Sequence, residues 1–494
     1  MLLGIDQGTT GTLACLVEAD GRIAARAYAA HRQICPRPGW VEHDAEEIWR
    51  CIERVVGEVL ASGVRPDGIA IANQGETVLA WDRRTGRPLH HALVWQDTRT
   101  QPLTSRLAED AAIAARVRDE TGLPLDPYFS APKLRWLLDE VPGARALAAA
   151  GHLGAGTLDA WLIARLTGGA AATDASTAAR TLLCDTRVHR WSPFLLELFD
   201  IPPGVLPEIR DTDAGFGVCS SAGTISALGS ALAGVPIVAS VVDQPAALAG
   251  HGCLDAGDAK ATFGTGCFVY ANTGAARPRG GGTLATVAWK RAGAPACYAL
   301  DGGVLAVGSA IGWLREIGVL GEGEPLDAAL AGARRDPGVV CVPALLGLGA
   351  PHWDRDARAA WLGISNAATR ADLAGALVEG LACRVAEVVA AVERDAGLPI
   401  PELRVDGGLT RSAALMQVVA DLLGRPVAVA EQDEATVSGA CALAALRLGT
   451  LTEPELRARR HRAQARYEPR SSADERDAKL ARFARARALA ASWR

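Results

Sequence analysis

Two turns rich in glycine and threonine have the residue types that bind phosphate. Residues 4–11 read GIDQGTTG and residues 260–274 read KATFGTGCFVYANTG, so each turn lies between strand-like runs. Glycine lacks a Cβ and lets backbone N–H groups approach an oxyanion, while threonine adds a hydroxyl donor. One such turn is also typical of an ordinary hairpin. Two of them, about half a chain apart, predict a pair of nests that hold a polyphosphate from both sides.

A third candidate segment lies near the C-terminus. Residues 403–417, LRVDGGLTRSAALMQ, have the pattern of a strand, an Asp-Gly-Gly turn and a helix, and a helix N-terminus also attracts anions. The chain has no G-x-x-x-x-G-K-[ST] sequence, and no G-x-G-x-x-G begins a convincing dinucleotide-binding unit. A Walker A loop and a dinucleotide fingerprint are therefore excluded, and the three turns favour another kind of nucleotide site.

The composition indicates a globular protein of two domains. The chain has 494 residues, of which 49% are apolar and 22% charged, with a net charge of −5. Single cores stop growing at about 250–300 residues, and this charge does not suggest nucleic-acid binding. Eleven scattered cysteines without a C-x-x-C pair argue against a zinc site or a disulfide framework. They favour a reducing compartment, and we expect the cytoplasm.

No membrane insertion is expected. The start of the chain, MLLGID, has neither the basic nor the long apolar region of a signal peptide. Residues 214–242 carry no charge, but they are rich in Gly, Ser and Ala and contain Pro236. A spanning helix needs about 20 strongly apolar residues. Residues 235–242 therefore predict a buried strand that ends at Asp243.

The turns lie between predicted strands and helices, which hold them in place. The first runs, LLGID and TLACLVEADGRI, predict a hairpin, and the next segment predicts an amphipathic helix with Asp44 as its N-cap. The other predicted elements are strands at 69–72 and 78–82, strand–turn–helix units at 298–318 and 402–424, and a long helix at 370–397. This alternation predicts an α/β fold with a mostly parallel sheet and flanking helices in each domain.

The order of the motifs resembles the FGGY family of carbohydrate kinases, and within it the glycerol kinases. The segments that carry the resemblance, besides the three turns, are PGWVEHDAEEIW (38–49), NQGETVLAWDRRTGRPL (73–89), VWQDTRT (94–100), TGLPLDPYFSAPKLRWLLD (121–139), VDQPAAL (242–248), VGSAIGWLRE (307–316) and VPALLGLGAPHWD (342–354). The resemblance implies two actin-like ATPase (ribonuclease H-like) domains, residues 1–248 and 249–494, with a catalytic cleft between them. It is compatible with a homodimer or a homotetramer.

The resemblance also implies that ATP and Mg²⁺ bind at the turns. Asp6 would organise Mg²⁺, which prefers one or two carboxylates together with phosphates and water. The implied ATP-binding positions are Gly8, Thr9, Thr10, Gly11, Gly264, Thr265, Gly266, Gly308, Gly312, Gly407, Gly408 and Ser412. Three positions depart from the family pattern, since Leu13, Gly312 and Ser412 replace an arginine, a glutamine and an asparagine. The loss at Leu13 predicts weaker handling of the γ-phosphate.

The implied acceptor site is a set of polar and aromatic side chains. Its members are Gly75, Glu76, Trp95, Tyr128, Asp243, Gln244 and Phe268. Carboxylates and amides orient the hydroxyls of a polyol, and aromatic faces cover its C–H side. Asp243 follows an apolar run, so it should lie at the carboxyl end of a strand, where ligands bind in open α/β sheets. A carboxylate with a reference pKa of about 3.9 is ionised at neutral pH, and we predict Asp243 to be the catalytic base.

The identity of the acceptor depends on Gly75, which stands where the family has an arginine. Arginine presents a rigid fork of donors, so glycine removes those donors and opens space that either another side chain or the substrate fills. Glycerol is the leading acceptor. The alternative is a four- or five-carbon polyol or ketose of the erythritol, threitol or xylulose type.

Two readings from other functional classes stay open. A non-catalytic sensor of sugar and nucleotide would keep the fold but not the transfer chemistry. Retention of Asp6, Thr9, Glu76, Asp243 and Gln244 speaks against it. An actin-like or chaperone-type ATPase would not need the DPYFS and VDQ acceptor segments.

Overall fold

A computed structural model describes residues 1–169, 171–220, 229–431 and 434–493. The strands of the first half, β1 to β13 in chain order, are Leu2–Gln7, Gly11–Val17, Ile23–Ala30, Glu42–His43, Gly68–Asn73, Val78–Asp82, Ala92–Leu93, Leu153–Thr157, Ala172–Asp174, Cys184–Asp185, Arg190–Trp191, Glu208–Arg210 and Ile237–Val242. Its helices, α1 to α10, are Ala45–Val59, Gln101–Ala108, Ala111–Thr121, Ser130–Glu140, Ala144–Ala149, Leu158–Thr167, Ala175–Ala178, Pro193–Leu198, Gly229–Leu232 and Asp243–Gly250.

The second half has its own strands and helices. The strands, β14 to β22, are Ala259–Phe263, Cys267–Gly274, Leu284–Lys290, Ala296–Val304, Val340–Val342, Ala360–Leu362, Leu403–Asp406, Val427–Ala430 and Ala463–Tyr467. The helices, α11 to α17, are Gly308–Glu316, Leu326–Leu330, Arg370–Ala396, Ala413–Leu423, Ala435–Leu448, Glu453–Ala458 and Ala473–Ser492.

The first large sheet has the strand order β13-β5-β1-β2-β3. Strands β13, β5 and β1 are parallel, whereas β2 pairs antiparallel with β1 and β3. The predicted first hairpin is confirmed, with Asp6 opposite Leu13 and residues 8–10 as its turn. Because three parallel strands end at the same edge, Asp6, the segment after Asn73, and Asp243 come together there.

The second large sheet has the order β16-β17-β15-β14-β20-β21-β22. Its parallel strands are β14, β20 and β21, and the remaining neighbours are antiparallel. The prediction of mostly parallel sheets is therefore wrong, because both sheets are mixed. The physical reason lies in the turns at 8–10 and 264–266, since so short a connection joins only antiparallel strands, and parallel strands need a crossover of a dozen or more residues.

Two hydrophobic cores lie against these sheets and a third joins the halves. Helix α1 packs Trp49 into the first core, and its predicted N-cap is confirmed by a 2.9 Å hydrogen bond from the Glu46 N–H to Asp44. The 27-residue helix α13 is largely buried in the second core. The third core combines residues of β1, β2 and β5 with Leu248 of α10 and Leu443 of α15.

Helices α10 and α15 touch backbone to backbone. A Cβ on Gly250 would lie 2.1 Å from the Ala435 carbonyl oxygen, and one on Gly439 would lie 1.7 Å from that of Ala246. Only glycine permits this approach. Helix α10 also contains the predicted boundary between residues 248 and 249.

The uncharged stretch at 214–242 contains β13, as predicted, and its residues 221–228 lie outside the described residues. Across the ranges that the structure describes, no helix has the length and apolarity needed to span a membrane.

Candidate active site

Two carboxylates share the edge of the first sheet. Asp6 is the penultimate residue of β1, and Asp243 begins α10 directly after β13. Burial, followed by the negative charges of Asp243 and Glu434, raises the pKa of Asp6 to about 8. The Oδ1 atom of Asp6 is buried and has no hydrogen-bond partner among the described residues. A divalent cation would satisfy this oxygen and relieve the repulsion between the two acids.

The Asp243 carboxylate is held by its neighbours. The Gln244 backbone N–H donates to Oδ1 at 2.7 Å, and the Gln244 amide donates to Oδ2 at 3.4 Å. Burial raises the pKa of Asp243, and the Lys260 ammonium opposes that rise. Lys260 is fully buried on β14. Its ammonium donates to the Gln244 side-chain oxygen and, at 2.8 Å, to the Thr262 hydroxyl. A polar chain thus connects Asp243 to the strand that leads into the second turn.

The first turn is closed by local hydrogen bonds. The Gly8 N–H donates to the Gly11 carbonyl at 3.0 Å, and the side-chain amides of Gln7 and Gln74 donate to the Gly8 carbonyl at 2.9 and 3.2 Å. Gly8 and Thr9 are half-buried and Thr10 is exposed, so the tip of the turn is open for a ligand.

Position 11 begins β2 and has no room for a side chain. A Cβ on Gly11 would lie 2.3 Å from the Tyr28 hydroxyl oxygen. Leu13, two residues further along β2, is buried in the core that joins the halves. The structure therefore gives Leu13 a packing role at the place where the family has an arginine.

The second turn adjoins the other two nucleotide-side segments. The Gly264 N–H donates to the Gly266 carbonyl at 2.9 Å, and the Gly308 N–H donates to the Gly264 carbonyl at 3.1 Å. A Cβ on Gly308 would lie 2.5 Å from the Gly264 oxygen, and one on Gly407 would lie 2.4 Å from the Phe263 oxygen. These contacts place the start of α11 and the Asp-Gly-Gly turn beside residues 264–266. Gly264 and Thr265 are exposed.

Three predicted ATP-binding positions differ in their surroundings. Gly408 is exposed, and a Cβ on Gly312 would meet open space. Ser412 is buried. Its hydroxyl donates to Asp327 and accepts from the Leu415 N–H at 3.2 Å, which caps α14. The structure gives Ser412 these two partners, and its contact with ATP stays a prediction.

An aromatic cluster links the two hairpins. The ring of Trp95 lies 5.6 Å from that of Tyr128 and 6.4 Å from that of Phe268, both edge-on. Phe268 is on β15, just beyond the second turn. The Trp95 indole N–H also donates to the Thr9 hydroxyl at 2.9 Å. The predicted acceptor aromatics therefore touch the first turn and a strand of the second hairpin, as a shared cleft requires.

Glu76 adopts a left-handed backbone conformation with φ 59°. Its carboxylate accepts a hydrogen bond of 2.5 Å from the Arg180 Nε–H. Burial raises the pKa of Glu76, and Arg180 opposes that rise. At the neighbouring Gly75, a Cβ would lie 2.9 Å from a methyl group of Val242 and 3.9 Å from Cγ of Arg180. Other side chains thus occupy the space beside Gly75.

Sequence reasoning missed Lys260 and two further buried cations at this site, Arg180 and Lys133. Arg180 lies in the apolar stretch AARTLL, where a buried charge requires a partner. Lys133 is fully buried on α4. Its ammonium donates to the carbonyls of Pro127 and Tyr128 at 3.2 and 2.7 Å, which fixes the backbone that carries Tyr128. The available signal is the position of each cation within a mostly apolar stretch, AARTLL for Arg180 and APKLRWLL for Lys133.

The assembled groups suit transfer of a phosphoryl group. Two glycine turns offer backbone N–H groups, Asp6 offers an unsatisfied carboxylate oxygen, and Asp243 lies beside the polar set around Glu76. In the described parts of the chain, no group of three or more His, Cys, Asp or Glu side chains could hold a metal ion. Mg²⁺ commonly binds through one or two carboxylates and substrate phosphates, so Asp6 fits that mode.

Comparison with known proteins gives matches over the whole chain. Residues 1–250 match the N-terminal domain and residues 259–448 the C-terminal domain of the FGGY family of carbohydrate kinases. Glycerol kinase of Alkalilimnicola ehrlichii is 45% identical over 503 residues, covering 100% of this chain and 98% of that protein. Glycerol kinase of Geobacter sp. strain M21 is 44% identical, covering 91% and 90%. The crystal structure of Plasmodium falciparum glycerol kinase with ADP superposes with a TM-score of 0.93 at 31% identity, covering 99% and 98%.

Proposed function

The chain belongs to the FGGY family of carbohydrate kinases, and from this premise we propose that it transfers the γ-phosphoryl group of ATP to a primary hydroxyl of glycerol. Membership of this family confirms the predicted two-domain fold of the actin-like ATPase type and the predicted ATP-dependent kinase activity. The full-length similarity to proteins named glycerol kinase supports glycerol as the acceptor.

One contact carries the proposal within the structure. Trp95 contacts both the Thr9 hydroxyl of the first turn and the Tyr128 ring of the acceptor set. The proposed phosphate-binding turn and the proposed acceptor set are therefore adjacent, which in-line transfer would require. The transition state of phosphoryl transfer is loose, so positioning and charge neutralisation dominate the catalysis.

Asp243 acts as the general base in this proposal. The acceptor oxygen forms a bond to the γ-phosphorus, the bond to the β–γ bridging oxygen breaks, ADP leaves, and the hydroxyl proton passes to Asp243. The Gln244 N–H fixes the carboxylate at 2.7 Å. The buried Lys260 favours its ionised form, which is the form that accepts a proton.

Asp6 would hold the Mg²⁺ that accompanies ATP, directly or through water. When bound, the ion neutralises phosphate charge. The turns at 8–11 and 264–266 and the segments at Gly308, Gly312 and Gly407–Ser412 would bind the nucleotide, as the sequence predicts. The proximity of Gly308 and Gly407 to the second turn supports this assignment.

The surroundings of Gly75 favour a small acceptor. The alternative of a four- or five-carbon polyol or ketose rests on free space beside Gly75, and Val242 and the Arg180 stem border that position. Glycerol has three carbons and does not need the space.

The test is ADP release, coupled to an indicator reaction, with glycerol, erythritol, threitol, xylitol and xylulose. We expect glycerol to have the highest kcat/KM, and Asp243→Asn serves as the inactive control. A higher kcat/KM for a longer acceptor would replace glycerol in the proposal. Binding of acceptors without turnover would support a sensor, and steady ATP hydrolysis without any acceptor would support an actin-like ATPase.

The proposal also covers the cellular location, the domain boundaries and the oligomeric state. All eleven cysteines are free thiols, which supports our placing the protein in the cytoplasm. The matched regions 1–250 and 259–448 support domains at 1–248 and 249–494. A homodimer or homotetramer is expected from the family, and light scattering would distinguish the two.

A further inference from the structure

Arg180 is a buried arginine that binds two acids from the two halves of the chain. It follows helix α7 and is 1% exposed. Its Nε–H donates to Glu76 at 2.5 Å, and its Nη2 group donates to Asp301 of β17 at 3.0 Å. Glu76 follows β5 of the first sheet, so one guanidinium bridges the two halves of the chain. Removing one partner of a buried ion pair is strongly unfavourable, because the other charge is left uncompensated.

The same guanidinium lies beside Tyr128 of the acceptor set and the neighbouring Phe129. Its central carbon is 5.7 Å from the ring centre of Tyr128 and 5.6 Å from that of Phe129. Its stem borders Gly75, where a Cβ would lie 3.9 Å from the Arg180 Cγ. Arg180 therefore contacts the surroundings of Gly75, Glu76 and Tyr128 at once.

Arg180 also has unused hydrogen-bonding capacity. Its Nη1 atom is buried and lacks a partner within the described ranges. The Asp301 Oδ1 atom is buried and unpartnered in the same sense. Buried polar atoms usually have a partner, so both atoms are available to a bound acceptor.

We propose that Arg180 is a positioning residue that determines acceptor specificity, because it fixes the Glu76 carboxylate against Asp301 and supplies the guanidinium that Gly75 cannot. This inference rests on the proposed function. The acceptor is a small polyol with adjacent hydroxyls, one of which binds the carboxylate that Arg180 holds. The cation is thus supplied from a segment distant along the chain.

The variants Arg180→Gln and Arg180→Lys test this role, with Arg384→Gln as the matched control. Arg384 lies on α13 and is also 1% exposed. It binds Glu387 of the same helix and the Ala350 carbonyl, outside the acceptor set. A hydrogen bond to a charged group contributes enough that its loss changes binding about 10- to 150-fold. We expect Arg180→Gln to raise the KM for glycerol by such a factor and the KM for ATP less than about threefold. Arg180→Lys should recover part of the loss.

Acceptor analogues distinguish recognition from general stability. Propane-1,2-diol lacks one terminal hydroxyl and propane-1,3-diol lacks the central one. If Glu76 and Arg180 together bind a particular hydroxyl, the wild type should lose kcat/KM when glycerol is replaced by the diol that lacks this hydroxyl. The same replacement should cost Arg180→Gln at least tenfold less. Arg384→Gln should show the wild-type preference among glycerol and both diols.

The possible results test the proposed function and the role of Arg180 separately. A wild-type enzyme that does not phosphorylate glycerol overturns the proposed function. An active wild type, with an Arg180→Gln variant of unchanged glycerol KM and unchanged analogue preference, overturns the role of Arg180 alone. If Arg180→Gln does not fold, Asp301→Asn removes one anchor of the guanidinium and should raise the glycerol KM about tenfold. An unchanged KM in a folded Asp301→Asn then overturns the inference.

Discussion

The indole N–H of Trp95 donates a 2.9 Å hydrogen bond to the hydroxyl of Thr9. Thr9 lies in the first turn, and Trp95 also packs edge-on against Tyr128 and Phe268. An acceptor that moves the indole ring would therefore change the position of a hydroxyl at the proposed phosphate site.

A double-variant cycle tests this bond. Trp95→Phe removes the donor and Thr9→Val removes the acceptor. A neutral hydrogen bond contributes about 0.5–1.5 kcal/mol, so each variant should lower kcat/KM for glycerol about 2- to 12-fold at saturating ATP. Because both changes remove the same bond, the double variant should lose little more than the worse single variant. Fully additive losses would show that the two residues act independently.

Asp243→Asn should abolish most turnover while nucleotide binding persists. The amide cannot accept the acceptor proton, and a positioned base typically contributes about 10²–10⁴-fold. The measurements are kcat by coupled ADP release and ATP affinity by calorimetry. Asp213→Asn is the control, since Asp213 is also buried but binds Arg291 away from this site. Wild-type kcat in Asp243→Asn would remove Asp243 from the mechanism.

Lys260→Met should shift the acidic limb of the pH–rate profile to higher pH. The Lys260 ammonium lowers the pKa of Asp243 against the effect of burial, so its loss raises that pKa and protonates the base at a higher pH. Lys260→Arg keeps the charge and should retain most of the wild-type limb. Lys290→Met is the control, because Lys290 is half-buried and binds only Asp211 among the described ion pairs. An unshifted limb in Lys260→Met would contradict the electrostatic role.

Asp6→Asn should stabilise the metal-free protein at alkaline pH. The carboxyl has a pKa of about 8 when folded and about 3.9 when unfolded, so the folded state binds more protons between these values. Stability from Asp6 therefore falls as pH rises through that window and is lost above pH 8. With EDTA present, Tm of Asp6→Asn should exceed that of the wild type by at least about 2 °C at pH 8.5. The Tm difference between the two proteins should shrink towards pH 4. A Tm difference that stays constant with pH would contradict the raised pKa of Asp6.

Gly439→Ala should disrupt the contact between α10 and α15. The new Cβ would lie 1.7 Å from the Ala246 carbonyl oxygen, and both partners are backbone, so the helices must separate. Overpacking of this kind costs about 1–3 kcal/mol or more. Gly375→Ala on α13 is the control, since its Cβ would meet only the Ala333 methyl group at 3.2 Å. The urea midpoint of unfolding should be clearly lower for Gly439→Ala than for Gly375→Ala. Equal midpoints would contradict the packing argument.

The sequence predicts what local patterns determine. Apolar runs around the Gly-Thr turns are sufficient to predict both hairpins. Asp44 predicts the start of α1, and the uncharged run before Asp243 predicts the end of β13. The strand directions were missed because a short turn, not the alternation of elements, decides them.

The contacts within the candidate acceptor site could be predicted only in part. Arg180 binds partners 104 and 121 residues away, and no local pattern reports such a pairing. Ser412 shows the opposite case, since a position assigned by motif has its hydroxyl bound to Asp327.

Helix α15 determines when the core behind the opening strands can be completed during synthesis. Its residues Val437 and Leu443 complete the core behind β1 and β5, yet α15 begins at Ala435. As the ribosome releases the chain from its N-terminus, the opening strands must wait for more than four hundred residues before their second apolar face is covered. A nascent first half therefore exposes this apolar face to solvent until residues 435–448 have been synthesised.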